Sequence, residues 1–290
     1  MRTVITGDSC TDLPPQYIEE HNIPIINYIY NFKGKEYFDD FGKTMSYKDF
    51  YAAVRAGEMP TTSQTNVHTL TEFFRKFVQE GTAVVYLSFS SALSNTFNNA
   101  MMARKLLMEE YPQGDITVID TKSASLGEGL LLYYAVKMLR EGKSKEEIVE
   151  WVENNKLKLN HWVAVEDLNH LKRGGRVSGT AAFVGTVLNV KPIIHVDDEG
   201  RLIPVMKVRG RKKSIKTLAD ILQERIVRPE EQIIAISHGD ALEDAYYLKE
   251  LIQENVKVKD VMINNIGPVI GAHSGPGTIA LFFLGNSRQL

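Results

Sequence analysis

The chain has 290 residues, 43% hydrophobic and 24% charged, with a net charge of −2. That composition fits a soluble globular protein long enough for two domains, and so small a charge gives no global field to recruit nucleic acid or an anionic membrane. The single cysteine, Cys10, admits no internal disulfide and points to a reduced, cytoplasmic setting. The first residues lack the apolar run of a signal peptide, and Ile279 to Leu284 is too short to span a bilayer.

Thr3 to Thr6 predicts a strand, and the hydroxyls and carboxylates of GDSCTDLPP follow at its end; there Asp12, before Leu13-Pro14, suits a helix cap. Ile25 to Phe32 turns at Lys33-Gly34 into Glu36 to Phe38, and a helix is expected from Ser46 to Arg55. Pro60 to Gln64, PTTSQ, reads as a turn. It carries more hydroxyls than the one needed to cap the next helix, for which Thr65 or Asn66 is available, so it can bind an anion or carboxylate as well as stand solvated. Thr82 to Leu87 reads as a buried strand running into SFSSALSNTFNNA, where Ser90, Ser91, Ser94 and Thr96 cluster at the start of a helix, a ready place for an anion. After a strand at Asp115 to Ile119, the spacing of Leu131, Tyr134, Ala135, Met138 and Leu139 predicts a core-facing helix, and Ser144 to Asn155 a charged one. This alternation implies a largely parallel sheet covered on both faces.

Strand character restarts at His161 to Val165, which divides the chain into α/β domains at 1–158 and 159–290, each with a mixed or mostly parallel sheet flanked by helices. In DLNHLKRGGRVSG, Arg173 and Arg176 flank two glycines, and Ser178 can cap a helix through Val187. Asn189 to Val196 and Arg201 to Val208 read as a hairpin about Asp197 to Gly200. The basic run from Lys207 to Lys216 then opens a helix and offers a docking surface for an anionic partner. A strand from Gln232 ends at His238-Gly239-Asp240, and a helix through Leu248 and Ile252 leads to a strand at Lys259 to Ile263. Ile266 to Phe283 reads as strand, glycine-rich turn and strand, with His273 and Ser274 at the turn among Gly271, Gly275 and Gly277.

Several familiar sites are excluded. GPGTIA matches a dinucleotide fingerprint, but no helix or ribose-binding acid follows it. There is no Walker-type phosphate loop and no G-x-S-x-G elbow. The histidines lack zinc spacing, leaving only His238 with Asp240 as a bare metal candidate. Hydroxyl-rich turns, paired arginines and one histidine hold and orient a carboxylate better than they break a bond.

DSCTDLP, PTTSQ, SSALSNTFNNA, LKRGGRVS, KPIIHVDDEGRL with KVRGRKKS, and IGPVIGAHSGPG, in that order, resemble the DegV family of bacterial fatty-acid-binding proteins over nearly the whole chain, about Val4 to Phe283. The resemblance implies one long-chain fatty acid in a closed tunnel, its carboxylate at the domain interface, and no cofactor. It implies a carrier, not an enzyme: a subunit of a fatty acid kinase that presents the carboxylate to a separate ATP-dependent kinase, which makes an acyl phosphate for phospholipid synthesis. Contact with a membrane would be transient, without an integral segment. Carried over by motif, the ligand-binding residues are Thr62, Ser63, Ser94, Asn95, Thr96, His273 and Ser274. Those assisting phosphotransfer are Arg173 or Arg176, Arg209 and His273. Asn95 stands where the family has glycine. The competing reading is an enzyme, either a hydrolase acting through Ser94 with His273 or a metal phosphotransferase using His238 and Asp240. A third is a binder of another apolar carboxylate, such as a sterol-type acid.

Overall fold

A computed structural model describes residues 2–177 and 189–290; the helix expected from Ser178 through Val187 lies outside them. Strands β1 (Arg2–Asp8), β2 (Ile25–Ile26), β6 (Thr82–Ser88) and β7 (Ile116–Asp120) form a parallel sheet in the order β2-β1-β6-β7. Every residue of β6 is buried, as expected of a strand covered on both faces. On one side lie α3 (Val67–Gln79) and α4 (Thr96–Glu110), whose Leu70, Phe74, Ala100, Ala103 and Leu107 pack on Val84 and Tyr86. On the other lie α1 (Pro15–Glu20), α5 (Leu126–Arg140) and α6 (Lys145–Asn155). Ser144 and Glu147 close a capping box at the start of α6.

The second sheet is mixed: β10 (Leu202–Arg209), β9 (Val190–Val196), β8 (Leu159–Ala164), β13 (Ile279–Leu284), β11 (Ile233–His238) and β12 (Asp260–Asn265), in that order. Only β11 and β12 run parallel. Its outer face is covered by α8 (Arg211–Arg225) and α9 (Leu242–Asn255), through Ile215, Leu218, Leu222, Leu248 and Ile252. Helix α5 lies between the sheets and packs on β1, β6, β8, β11 and β13. It is therefore buried without a break from Leu126 to Leu132, rather than along one stripe. One apolar core accordingly runs from Ile5, Val85 and Leu87 through α5 to Leu159, Ala280 and Phe282.

A small antiparallel sheet, β4 (Lys35–Phe38), β3 (Ile29–Phe32) and β5 (Thr61–Ser63), stacks with α2 (Tyr47–Arg55) on α10 (Pro268–Ser274). Three local expectations differ from the fold. The hydroxyls of PTTSQ stand on β5, paired with β3, and not on a turn. The first limb of the Ile266 to Phe283 stretch is helical, because Pro268 sits at the first helical position and Val269 and Ala272 bury one face at helical spacing. Gly275 and Gly277 do take positive φ, 77° and 78°, in the turn that follows. Asp12 does not cap the start of α1 but closes the short 3-10 turn Ser9–Thr11 at its C-terminal end. It is a buried residue in the left-handed region (φ 50°), and α1 begins after Pro14. Among the described residues no helix is long and apolar enough to cross a membrane.

Candidate functional site

The second sheet turns an apolar face inward, and strand alternation decides which side chains reach it. Val163 and Val165, Ile194 and Val196, and Ala280 and Phe282 line one wall of a cavity of about 100 Å³. Opposite stand Cys10, Tyr28, Phe89 and Leu93, with Val269 and Ile270 of α10 and Leu171 of α7 (Asn169–Arg173). Many side chains thus surround a small volume, a narrow slot. One of its walls also carries the imidazole of His161, which the sequence reading did not single out.

Polar groups gather where Thr62, Ser63 and Gln64 meet Ser94, Arg176, His273 and Ser274. The convergence has a local cause. Ser94 shares a 3.0 Å hydrogen bond with Thr96 Oγ1 and accepts from the Thr96 N–H at 3.3 Å, which opens α4. Thr96 Oγ1 also accepts from the Thr65 N–H at 3.2 Å, and Asn99 donates to the Thr65 carbonyl at 2.8 Å. The hydroxyl-bearing strand β5 is thereby tied to the start of α4. Asn95 has φ −79°, open to any residue, so replacing the family's glycine costs the loop nothing. Asn95 bonds outward to Asn98 and Asn99, and neither it nor Thr96 lines the slot.

His273 stands in the last turn of α10, not on a turn, and its Nε2 lies 2.8 Å from Thr62 Oγ1. Burial, followed by the nearby charges of Arg176 and Arg173, pushes its pKa down to about 4, so the ring is neutral near pH 7. The buried Nδ1 and Ser274 Oγ have no hydrogen-bond partner among the described residues. Both arginines are exposed, but Arg176 lines the slot and donates to the carbonyls of Leu93 and Gly174, whereas Arg173 does not line it and pairs with His170. Arg209 ends β10, exposed and away from the slot, so it too lies on a strand. Within the basic run, Arg211 pairs with Asp244 and Glu166, and Lys216 with Asp220, which neutralises part of the expected docking surface.

The geometry does not favour the enzyme readings. Ser94 bonds to Thr96 while His273 bonds to Thr62, so no serine–histidine pair is made. His238 accepts from the Ala241 N–H, and Asp240 pairs with Arg55. Among the described residues no group of three or more histidine, cysteine, aspartate or glutamate side chains is placed to hold a metal.

Fold and site together define an α/β protein with an internal apolar slot that ends in hydroxyls, a guanidinium and a neutral imidazole. A family profile described as "Uncharacterised protein, DegV family" matches residues 2–286. The chain belongs to the DegV family. A DegV domain-containing protein of Clostridium perfringens, CPE0026, is 48% identical over 286 residues, covering 99% of this chain and 98% of that one. Two solved relatives share the architecture. The structure described as fatty acid binding of a DegV family protein from Thermus thermophilus has a TM-score of 0.87 and 29% identity, covering 98% of this chain and 100% of its own. The fatty acid binding DegV family protein SAG1342 from Streptococcus agalactiae has a TM-score of 0.86 and 30% identity, covering 99% and 100%.

Proposed function

We propose that the protein is a two-domain cytoplasmic carrier, divided after residue 158, that binds one long-chain fatty acid and presents its carboxylate to an ATP-dependent kinase subunit for acyl phosphate formation. The observation that carries this reading is the apolar slot ending at the Thr62–His273 pair, with Ser63 and Ser94 beside it. The fatty acids described for the Thermus and Streptococcus relatives support it. About 15 methylenes buried at roughly 0.8 kcal/mol each give on the order of 12 kcal/mol gross, from which ordering of the chain and desolvation of the carboxylate subtract. Thr62, Ser63 and Ser94 hold the head group, with Ser274 and the Asn95-Thr96 turn supporting them. Of the two arginines in LKRGGR, Arg176 is the one assigned to the carboxylate, since it reaches the slot.

His273 and Arg209 act in the transfer. A carboxylate attacking the γ-phosphate of ATP needs its charge managed as a second anion approaches: the exposed Arg209 guanidinium offers a positive charge to the incoming nucleotide, and the neutral His273 ring offers a hydrogen bond at the slot. The test is to make His273→Ala and Arg209→Ala and assay each with a fatty acid kinase subunit. Both are expected to stay folded, to keep their lipid with affinity reduced by no more than about 10-fold, and to lose acyl phosphate formation. A variant that transfers at the parental rate removes that residue from the reaction, and variants that lose their lipid make both of them binding residues.

A further inference from the structure

Helix α10 is entered from β12 of the second sheet, yet it is gripped by residues from the first sixty of the chain. Asp12, 2% exposed, accepts the Gly267 N–H on Oδ1 at 2.8 Å, and its backbone carbonyl accepts Asn264 Nδ2 at 2.7 Å. Its Oδ2 accepts from the Ser125 hydroxyl, itself 2.9 Å from Ser237 Oγ. The end of β12, at Asn264, and Gly267, which immediately precedes α10, are thus tied to one buried side chain and its backbone. Only glycine fits at 267: a Cβ would stand 2.9 Å from Asp39 Oδ2 and 3.0 Å from Asp12 Oδ1. Farther along, the Tyr51 hydroxyl donates to the Ile266 carbonyl at 2.9 Å, and a Cβ on Gly271 would lie 2.6 Å from that hydroxyl. A short helix held this tightly passes any shift at its base to its last turn, where His273 meets Thr62.

We propose that Asp12 is a positioning residue for His273: by holding the Gly267 N–H it fixes where α10 begins, and so sets the imidazole against Thr62 at the polar end of the slot. The left-handed backbone of Asp12 closes the short 3-10 turn Ser9–Thr11, and from there its side chain reaches the Gly267 N–H. It also joins the two ends of the chain at the point where the site needs them in register. The inference about ligand discrimination rests on the fatty-acid reading; the inference about the imidazole does not.

The discriminating pair is Asp12→Asn and Asp12→Ala. Asparagine keeps an oxygen for the Gly267 N–H and sets an amide against Ser125, whose hydroxyl can accept as well as donate; alanine removes both contacts. The readouts are the titration of the His273 ring by NMR and the affinities for palmitate and for methyl palmitate, which lacks the carboxylate. Asp12→Asn is expected to match the parent in all three. In Asp12→Ala, the His273 pKa should move from about 4 towards the ordinary 6.5 as the ring leaves its enclosed place. Palmitate should bind about 10-fold more weakly, the size of one lost charge-assisted hydrogen bond, with methyl palmitate changed less than about 2-fold. Equal weakening of both ligands with an unmoved His273 would make Asp12 a packing residue and overturn the proposal, as would an asparagine variant that fails like alanine. If Asp12→Ala does not fold, Ser125→Ala, which releases Oδ2 and Ser237 Oγ but leaves the Gly267 N–H on Oδ1, should move His273 in the same direction by a smaller amount, and no movement there overturns the proposal too. A parent protein that binds no palmitate sinks the fatty-acid reading instead, and the His273 titration then decides alone.

Discussion

Thr62 and Ser94 show how far single residues could be read. Their hydroxyls stood out because PTTSQ and SSALSNT contain more of them than capping requires, and the fold brings both to one end of the slot. Asp12 did not stand out, because a cap before Leu13-Pro14 was a sufficient local explanation; its real partner, Gly267, is remote in sequence, and no spacing rule reaches that far. The choice between Arg173 and Arg176 was likewise closed to the sequence, since two arginines around a pair of glycines differ only once the backbone turns. Each hydrogen bond lost to a carboxylate weakens binding by about 1.5–3 kcal/mol. Thr62→Val combined with Ser94→Ala should therefore lower palmitate affinity by well over tenfold and leave the circular dichroism spectrum unchanged. Calorimetry on the double variant checks this, and parental affinity would move the head group elsewhere.

Among the elements, those with a long period were legible and the short ones were not. Helices α2, α3, α5, α6, α8 and α9 follow from apolar spacing and caps, as with Asn66 accepting from the Thr69 N–H at the start of α3. Seven residues of α10 and three of β5 are too few to carry a period. Both are fixed by tertiary contacts, α10 by Asp12 and Tyr51, β5 by pairing with β3. Helix α5 follows from its apolar stripe, but its burial between two sheets does not, because LGEGLLL carries a glutamate and two glycines, which read as a solvated side of the helix. Leu131 lies in that shared core, 1% exposed. Leu131→Ala should cost about 2–5 kcal/mol by the usual cavity penalty. Because α5 packs on both sheets, urea denaturation should remain one transition at a lower midpoint. Two separated transitions would show that the sheets unfold independently.

Across the whole molecule, an unusual number of buried carboxyl groups surrounds the junction of the sheets. Burial pushes Asp8 and Asp12 up to about 7, and Asp39 and Glu128 well above their ordinary values. A carboxyl with a raised folded pKa contributes stability that is present below its unfolded value, near 3.8, and is lost as pH rises through the folded one. His195 and His273, pushed down to about 4, act in the opposite sense: their contribution is present above 6.5 and is lost as pH falls. The two effects oppose each other in mildly acidic solution, and between pH 6.5 and the ordinary thiol value of 9.0 the carboxyls set the slope. Urea midpoints should therefore fall from pH 6.5 to alkaline pH, and Asp12→Asn should flatten that slope; an unaltered slope would mean that Asp12 is already ionised in the folded protein. The central claim concerns what fills the slot, and the most direct measurement is organic extraction of the protein, purified without detergent from a bacterial host, followed by mass spectrometry of the extract against protein concentration. The account predicts close to one long-chain fatty acid per chain. Protein that carries no lipid and takes up neither palmitate nor oleate would contradict it.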